Sequence, residues 1–281
     1  EYLEYSKEWA EHNQWKGATS NNKAEWRSTY GESPEYVLFG DWQVCFQTYA
    51  DLYKLDPDTI KIARAREVME YQMSTSKLDY WHWVDALYMV MPVMVKMYDI
   101  TKNPLYLEKL HQYLTVTDSI MYDREVGLYY RDAKYPYPFH KTINGKKDFW
   151  SRGDGWAFAA FAKVLKQLPA EDKYREEYIT RFQTMAKSIA ACQQPEGYWT
   201  RSLIDPEQAP GPETSGTALF TYGFLWGINN GLLNADIYSP IVEKAWNYLK
   251  TTALQADGKI GYIQPVGEKA IPGQVVDANS C

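Results

Sequence analysis

The heptapeptide Trp150-Ser-Arg-Gly-Asp-Gly-Trp156 brings indoles, a guanidinium, a carboxylate and glycines into one short stretch. It runs straight into Ala157-Phe-Ala-Ala-Phe-Ala162, an uncharged segment expected to form a helix buried on every side. Indole faces stack on the C–H groups of a pyranose, and arginine pairs with a carboxylate through two parallel hydrogen bonds. Glycine lets the backbone come close to a ligand. Trp150, Arg152 and Trp156 are therefore candidate contacts to a sugar acid. The plainer alternative is a tight turn into a helix, with tryptophans that only pack.

Asp85 is the charged residue in the otherwise apolar run Val84–Val95. Helical spacing places Trp81, Tyr88 and Met89 on its face. Apolar neighbours or a second carboxylate raise a carboxyl pKa, whereas a helix N-terminus opposes the rise. Where burial prevails, Asp85 holds a proton near neutral pH and serves as a general acid. The alternative is a buried aspartate satisfied by backbone N–H groups or by an arginine. Asp41, in Gly40-Asp41-Trp42, is the candidate second carboxylate or else a helix cap. Asp154 reads as a cap or a loop brace. His82 and Trp83, in Trp81-His-Trp-Val-Asp85, and Trp42 beside Asp41 complete the polar and aromatic candidates.

Elements that position these residues fall into two kinds. Trp42–Ala50, Val84–Val95, Trp156–Ala162 and Thr217–Ile228 are apolar almost all round and are expected inside. Asp58–Met73, Pro104–Met121, Glu171–Cys192 and Ile237–Thr252 alternate with them and carry one charged stripe each. The pattern predicts an all-α chain of inner helices ringed by outer ones, an α/α toroid forming a single domain over residues 1–281. Strand signals are sparse, and Lys259–Gln264 is the best of them. A closed ring of six hairpins needs about twelve helices, and about eight or nine are expected here, so the toroid is expected to be incomplete at its ends. Loops that precede the inner helices carry Asp41, Asp85, the Trp150–Trp156 motif and Glu213-Thr-Ser-Gly-Thr217. Parallel inner helices would gather them at one mouth.

Composition narrows the classes. The chain has 281 residues, 45% of them hydrophobic and 16% aromatic, enough for a large core. A net charge of −6 without a basic block gives no footprint for nucleic acid. Cys45, Cys192 and Cys281 lack pairing or zinc spacing, the histidines show no metal-ligand spacing, and no metal or cofactor is expected. Gly-x-Ser-x-Gly and phosphate-binding glycine motifs are missing. No apolar leader is recognisable at Glu1, and the uncharged Thr214–Ala235 stretch reads as a core helix, not a membrane span.

Three motifs, Trp83-Val-Asp-Ala-Leu-Tyr-Met89, Trp150-Ser-Arg-Gly-Asp-Gly-Trp156 and Glu213-Thr-Ser-Gly-Thr217, occur in an order that carries a resemblance. The chain resembles glycoside hydrolase family 105, the unsaturated rhamnogalacturonyl hydrolases, and the related unsaturated glucuronyl hydrolases of family 88. The resemblance implies an (α/α)6 barrel and an oligosaccharide substrate ending in a 4,5-unsaturated uronic acid. By the same resemblance Asp85 and Asp41 stand at the catalytic aspartates, and Trp150 and Arg152 line the uronate site. Relatives often have a histidine after the Gly-Leu of Gly127-Leu-Tyr-Tyr-Arg131. Here Tyr130 and Arg131 stand there, Tyr130 is a candidate substrate contact, and His140 is a candidate substitute for the histidine.

Overall fold

The computed structural model describes residues 1–17 and 38–280, so Cys281 lies outside the described residues. They are mainly helical and fall into two compact units. One comprises Glu1–Trp81 and Ala86–Thr117, the other His82–Asp85 and Asp118–Cys281.

The first unit holds α1 (Tyr2–His12), α2 (Gly40–Gln43), α3 (Phe46–Leu55) and α4 (Ile60–Ser74), with most of α5 (Asp85–Thr101) and α6 (Leu105–Met121). Its helices form where apolar residues recur at helical spacing: Ile62, Ala65, Val68, Met69 and Met73 of α4 are all buried. Burying each large side chain contributes about 1.5–3 kcal/mol. Several buried polar groups find partners. Gln43 Nε2 donates to Gln72 Oε1 at 2.7 Å, the Tyr113 hydroxyl donates to the Gln72 carbonyl at 3.3 Å, and buried Lys96 pairs with Asp51.

The second unit contains the hairpin β1 (Tyr122–Asp123) and β2 (Leu128–Tyr129), then α7 (Ser151–Gln167), α8 (Arg175–Ala190), α9 (Thr214–Asn229) and α10 (Ala235–Tyr248). Phe158 of α7 stacks on Phe182 of α8 at 4.6 Å and meets Phe224 of α9 edge-on at 5.2 Å. Glycine permits this approach of α7 and α9. A Cβ at Gly223 would fall 2.4 Å from the Phe158 ring, and one at Gly216 would fall 2.1 Å from Ser151 Oγ.

The expected inner and outer segments all form helices, α3, α5, α7 and α9 alternating with α4, α6, α8 and α10. Burial differs from expectation on α9, where Tyr222 is 40% and Leu225 39% exposed. Lys259–Gln264 is not a strand. After a π-helical turn (Leu249–Ala253), one bridge joins Leu254 to Ile260, and the segment then runs irregularly against the start of α9. Its backbone groups find individual partners instead of a neighbouring strand. Tyr262 accepts the Thr214 N–H at 2.9 Å, and Gly261 accepts the Thr214 hydroxyl at 2.8 Å.

Candidate functional site

Asp85 opens α5, and its side chain is 16% exposed. The residues just before it are pinned by the chain that follows β2. Trp83 and Asp132 form an antiparallel bridge, and the Val84 N–H donates to the Arg131 carbonyl at 2.8 Å. This pairing brings Arg131 Nε to 3.8 Å from Asp85 Oδ2. Arg131 Nη1 donates to Asp132 Oδ2 at 2.6 Å and lies 3.4 Å from Glu268 Oε2. Burial opposes the charge on Arg131. The hydrogen bond to Asp132 and the fields of Asp85, Asp132 and Glu268 outweigh it and hold the guanidinium above its usual pKa. The Tyr135 hydroxyl donates to Glu268 Oε1 at 3.1 Å.

The remaining candidates lie on several elements. Trp83 is buried, while His82 is exposed with its ring 4.8 Å from that of Trp83. His140 Nε2 lies 2.7 Å from Asp148 Oδ2, and Gln208 Nε2 donates to Asp148 Oδ1 at 3.1 Å, which makes a braced histidine–aspartate pair. The His140 ring stands edge-on to Tyr135 at 4.8 Å. Trp156 is half-buried on α7. Asp41 and Trp42 belong to the first unit, on α2, where Asp41 is exposed and Trp42 half-buried.

Three candidate contacts are committed to the protein itself. Trp150 is buried, and its Nε1 donates to Gln264 Oε1 at 2.9 Å, so its indole holds the C-terminal segment. Arg152 stacks on Trp150 and uses every guanidinium nitrogen. Nε donates to Ser215 Oγ at 2.8 Å, Nη1 to the Pro265 carbonyl at 3.2 Å, and Nη2 to the Gln264 carbonyl and to Glu213 Oε1. Tyr130 is 4% exposed, stacked on Phe149 at 4.6 Å, with its hydroxyl on Asp123 Oδ2 at 2.7 Å. The physical reason is shared: each is large enough to fill packed space and carries a polar tip that a nearby acceptor satisfies.

The other polar motifs also serve the fold. Glu213, fully buried, caps α9 by accepting from the Gly216 N–H at 2.6 Å and the Ser215 N–H at 3.2 Å, and it takes the Gln264 N–H at 3.1 Å. Asp154 braces the hairpin, as the sequence suggests, by accepting the Tyr129 N–H at 2.8 Å. Burial pushes its carboxyl well above the usual value, which that N–H only partly opposes. Among the described residues no group of acidic, histidine and cysteine side chains could hold a metal ion, and no helix is long and apolar enough to cross a membrane.

Asp132, Tyr135, Gln264 and Glu268 carry no local signal of a role. Glu268 stands 137 positions after Arg131 in the chain, 268 − 131, and only the fold brings them together. Arg131 had a signal, since with Tyr130 it stands where the resemblance leads to the expectation of a histidine.

The family profile of Glycosyl Hydrolase Family 88 matches residues 1–281. A solved structure described as a family 88 glycosyl hydrolase from Bacteroides vulgatus is 98% identical, with a TM-score of 0.96, over 100% of this chain and 80% of its own. A second, described as a polysaccharide lyase, is 74% identical with a TM-score of 0.95, over 100% of this chain and 79% of its own. A possible member of family 105 from Salmonella enterica, 19% identical, has a TM-score of 0.76 over 98% of this chain and 72% of its own, a likeness of fold. The expected all-α fold is thus that of helical-barrel enzymes. An unsaturated 3S-rhamnoglycuronyl hydrolase from Alteromonas sp. is 35% identical over 198 residues, 70% of this chain and 47% of the relative. The chain spans about half the length of the curated relatives it matches. By this profile match and these identities, the chain belongs to glycosyl hydrolase family 88.

Proposed function

We propose that the chain is the catalytic region of an unsaturated uronyl hydrolase, working on an oligosaccharide whose terminal uronic acid carries a C4=C5 double bond. The observation that carries this reading is Asp85, a partly exposed carboxyl at the start of α5, set beside the Arg131 guanidinium. In the proposed reaction Asp85 gives its proton to C4 and takes one from water, while the water oxygen bonds to C5. The resulting hemiketal collapses and releases the neighbouring sugar. An unsaturated galacturonyl-rhamnose is the substrate we favour, on the resemblance to family 105. Relatives at about 35% identity that are named unsaturated 3S-rhamnoglycuronyl hydrolases support the coarser reading of an unsaturated uronyl hydrolase. Residues 1–281 are taken to act as one domain, with Asp41 as the second carboxylate.

Incubation with lyase-generated oligosaccharides should remove the ultraviolet absorbance of the double bond. Asp85→Asn should lower kcat by about 100-fold or more while the fold persists, because the amide keeps the shape and cannot cycle a proton. A folded wild type that leaves the absorbance unchanged on such substrates sinks the reading.

A second reading is favoured by the 74% identical structure described as a polysaccharide lyase and by the cation beside Asp85. In β-elimination a base takes the C5 proton of a saturated uronate, the C4–O bond breaks and the C4=C5 bond forms. A guanidinium on the carboxylate stabilises the charge that develops at C5. The two reactions differ in sign: hydration consumes the absorbance and elimination creates it.

A further inference from the structure

Arg152 is the arginine that the sequence offers to a uronate, yet each of its guanidinium nitrogens already donates to a protein oxygen. Arg131 is different. Its Nε has no hydrogen-bond partner among the described residues, and its contact with Asp85 is a long 3.8 Å. Of the three carboxylates around it, Asp132 is immobile. Its side chain is 8% exposed, it sits in the bridge to Trp83, and its second oxygen accepts the Lys134 N–H at 2.8 Å. Glu268 is the loosely held one. It is 44% exposed, 3.4 Å from Nη1, and otherwise anchored through Tyr135.

We infer that Arg131 receives the substrate carboxylate and that Glu268, carried in by the C-terminal segment, occupies that place until the substrate displaces it. A planar guanidinium matches a planar carboxylate better than a lone ammonium would. The exchange keeps the charge count unchanged, one anion leaving the guanidinium as another arrives. It also sets the uronate beside Asp85, because C5 bears the carboxylate and C4 is its neighbour.

The assignment rests on the reading that the substrate is a uronate, and its test separates the two. The intact chain, Arg131→Lys and Glu268→Gln would each be titrated with glucuronate, galacturonate, their methyl esters and glucose, with binding read by calorimetry or by broadening of the sugar resonances. Removing a competing anion should tighten the free acids about tenfold in Glu268→Gln, and loss of the fork should weaken them about tenfold in Arg131→Lys. Esters and glucose should bind all three proteins alike. Glu268→Gln keeps an oxygen for the Tyr135 hydroxyl, and cooperative melting of each variant would show that it is folded. Unchanged or weaker acid binding by folded Glu268→Gln, or a wild-type preference for acid over ester in folded Arg131→Lys, overturns the inference even if the wild type is active. Arg131-dependent acid binding with neither gain nor loss of double-bond absorbance overturns the activity and upholds the inference. A wild type that neither binds acids nor turns over overturns both.

Discussion

Arg131 Nε lies 3.8 Å from Asp85 Oδ2, so the carboxylate that opens α5 faces a permanent cation. The charge of Arg131 favours the ionised form of a carboxyl beside it. Replacing Arg131 with Gln should therefore make the Asp85 carboxyl hold its proton to higher pH. If a protonated Asp85 delivers the proton to C4, activity falls as pH rises through its pKa, and the alkaline limb of kcat in Arg131→Gln should move upward. A limb that stays in place, or moves down, would show that Asp85 is not the titrating acid.

Arg152 predicts a stability effect where a substrate contact would predict a kinetic one. Arg152→Ala should release the Gln264-Pro265 backbone from α7 and α9, costing about 1–3 kcal/mol. Amide exchange at Tyr262 and Gln264 should quicken in step with the lower melting temperature. A variant with wild-type exchange and a raised KM would return Arg152 to the substrate.

Asp154 supplies a test through pH and stability. Its pKa is raised in the folded chain by burial, so the fold retains a proton that the unfolded chain has lost. That contribution is complete below the unfolded carboxyl value, about 3.9, and is lost as pH rises through the folded value. Asp154→Asn cannot ionise, and its amide oxygen can still accept the Tyr129 N–H. Melting temperatures measured across pH should show the variant gaining on the wild type from about pH 4 upward. A constant offset between the two curves would refute the assignment.

Gly153 links the Trp150–Trp156 motif to the site through contact alone. A Cβ there would fall 2.8 Å from Val84 Cγ1 and 3.0 Å from Trp150 Cε3. Gly153→Ala should cost about 1–3 kcal/mol by overpacking. It should also lower kcat beyond that loss by displacing the residue next to Asp85. Thermal melts and steady-state rates on the same preparation check both, and an active variant of wild-type stability contradicts the packing.

Much of the fold was legible because it rests on local periodicity. Ile62, Ala65, Val68, Met69 and Met73 fall on one side of α4 at helical spacing, and the apolar run through α5 and α7 demands burial wherever those helices lie. Asp154 could be read as a brace because a carboxylate entering a helix has few other uses. The short β1–β2 hairpin has no signature in the sequence, since two-residue strands carry no period. Lys259–Gln264 has strand-like residues but no neighbouring strand among the described residues, and its backbone groups pair singly with Ala253, Asp277, Ser280 and Thr214 at the start of α9.

By itself the sequence determined the helical order, the buried runs and the candidacy of Asp85, which follow from residue type and short-range spacing, while three motifs carried the resemblance to the family. Tertiary structure decided which polar groups are occupied and which have capacity left. Trp150 and Arg152 look like ligand contacts in one dimension, but Gln264, over a hundred positions later, takes both as partners. Arg131 looks like a substitution for a histidine, yet the bridge between Trp83 and Asp132 and the arrival of Glu268 make it the ionic centre of the site. Hydrogen-bond satisfaction depends on what lies within about 3 Å in space, and chain separation does not encode that distance.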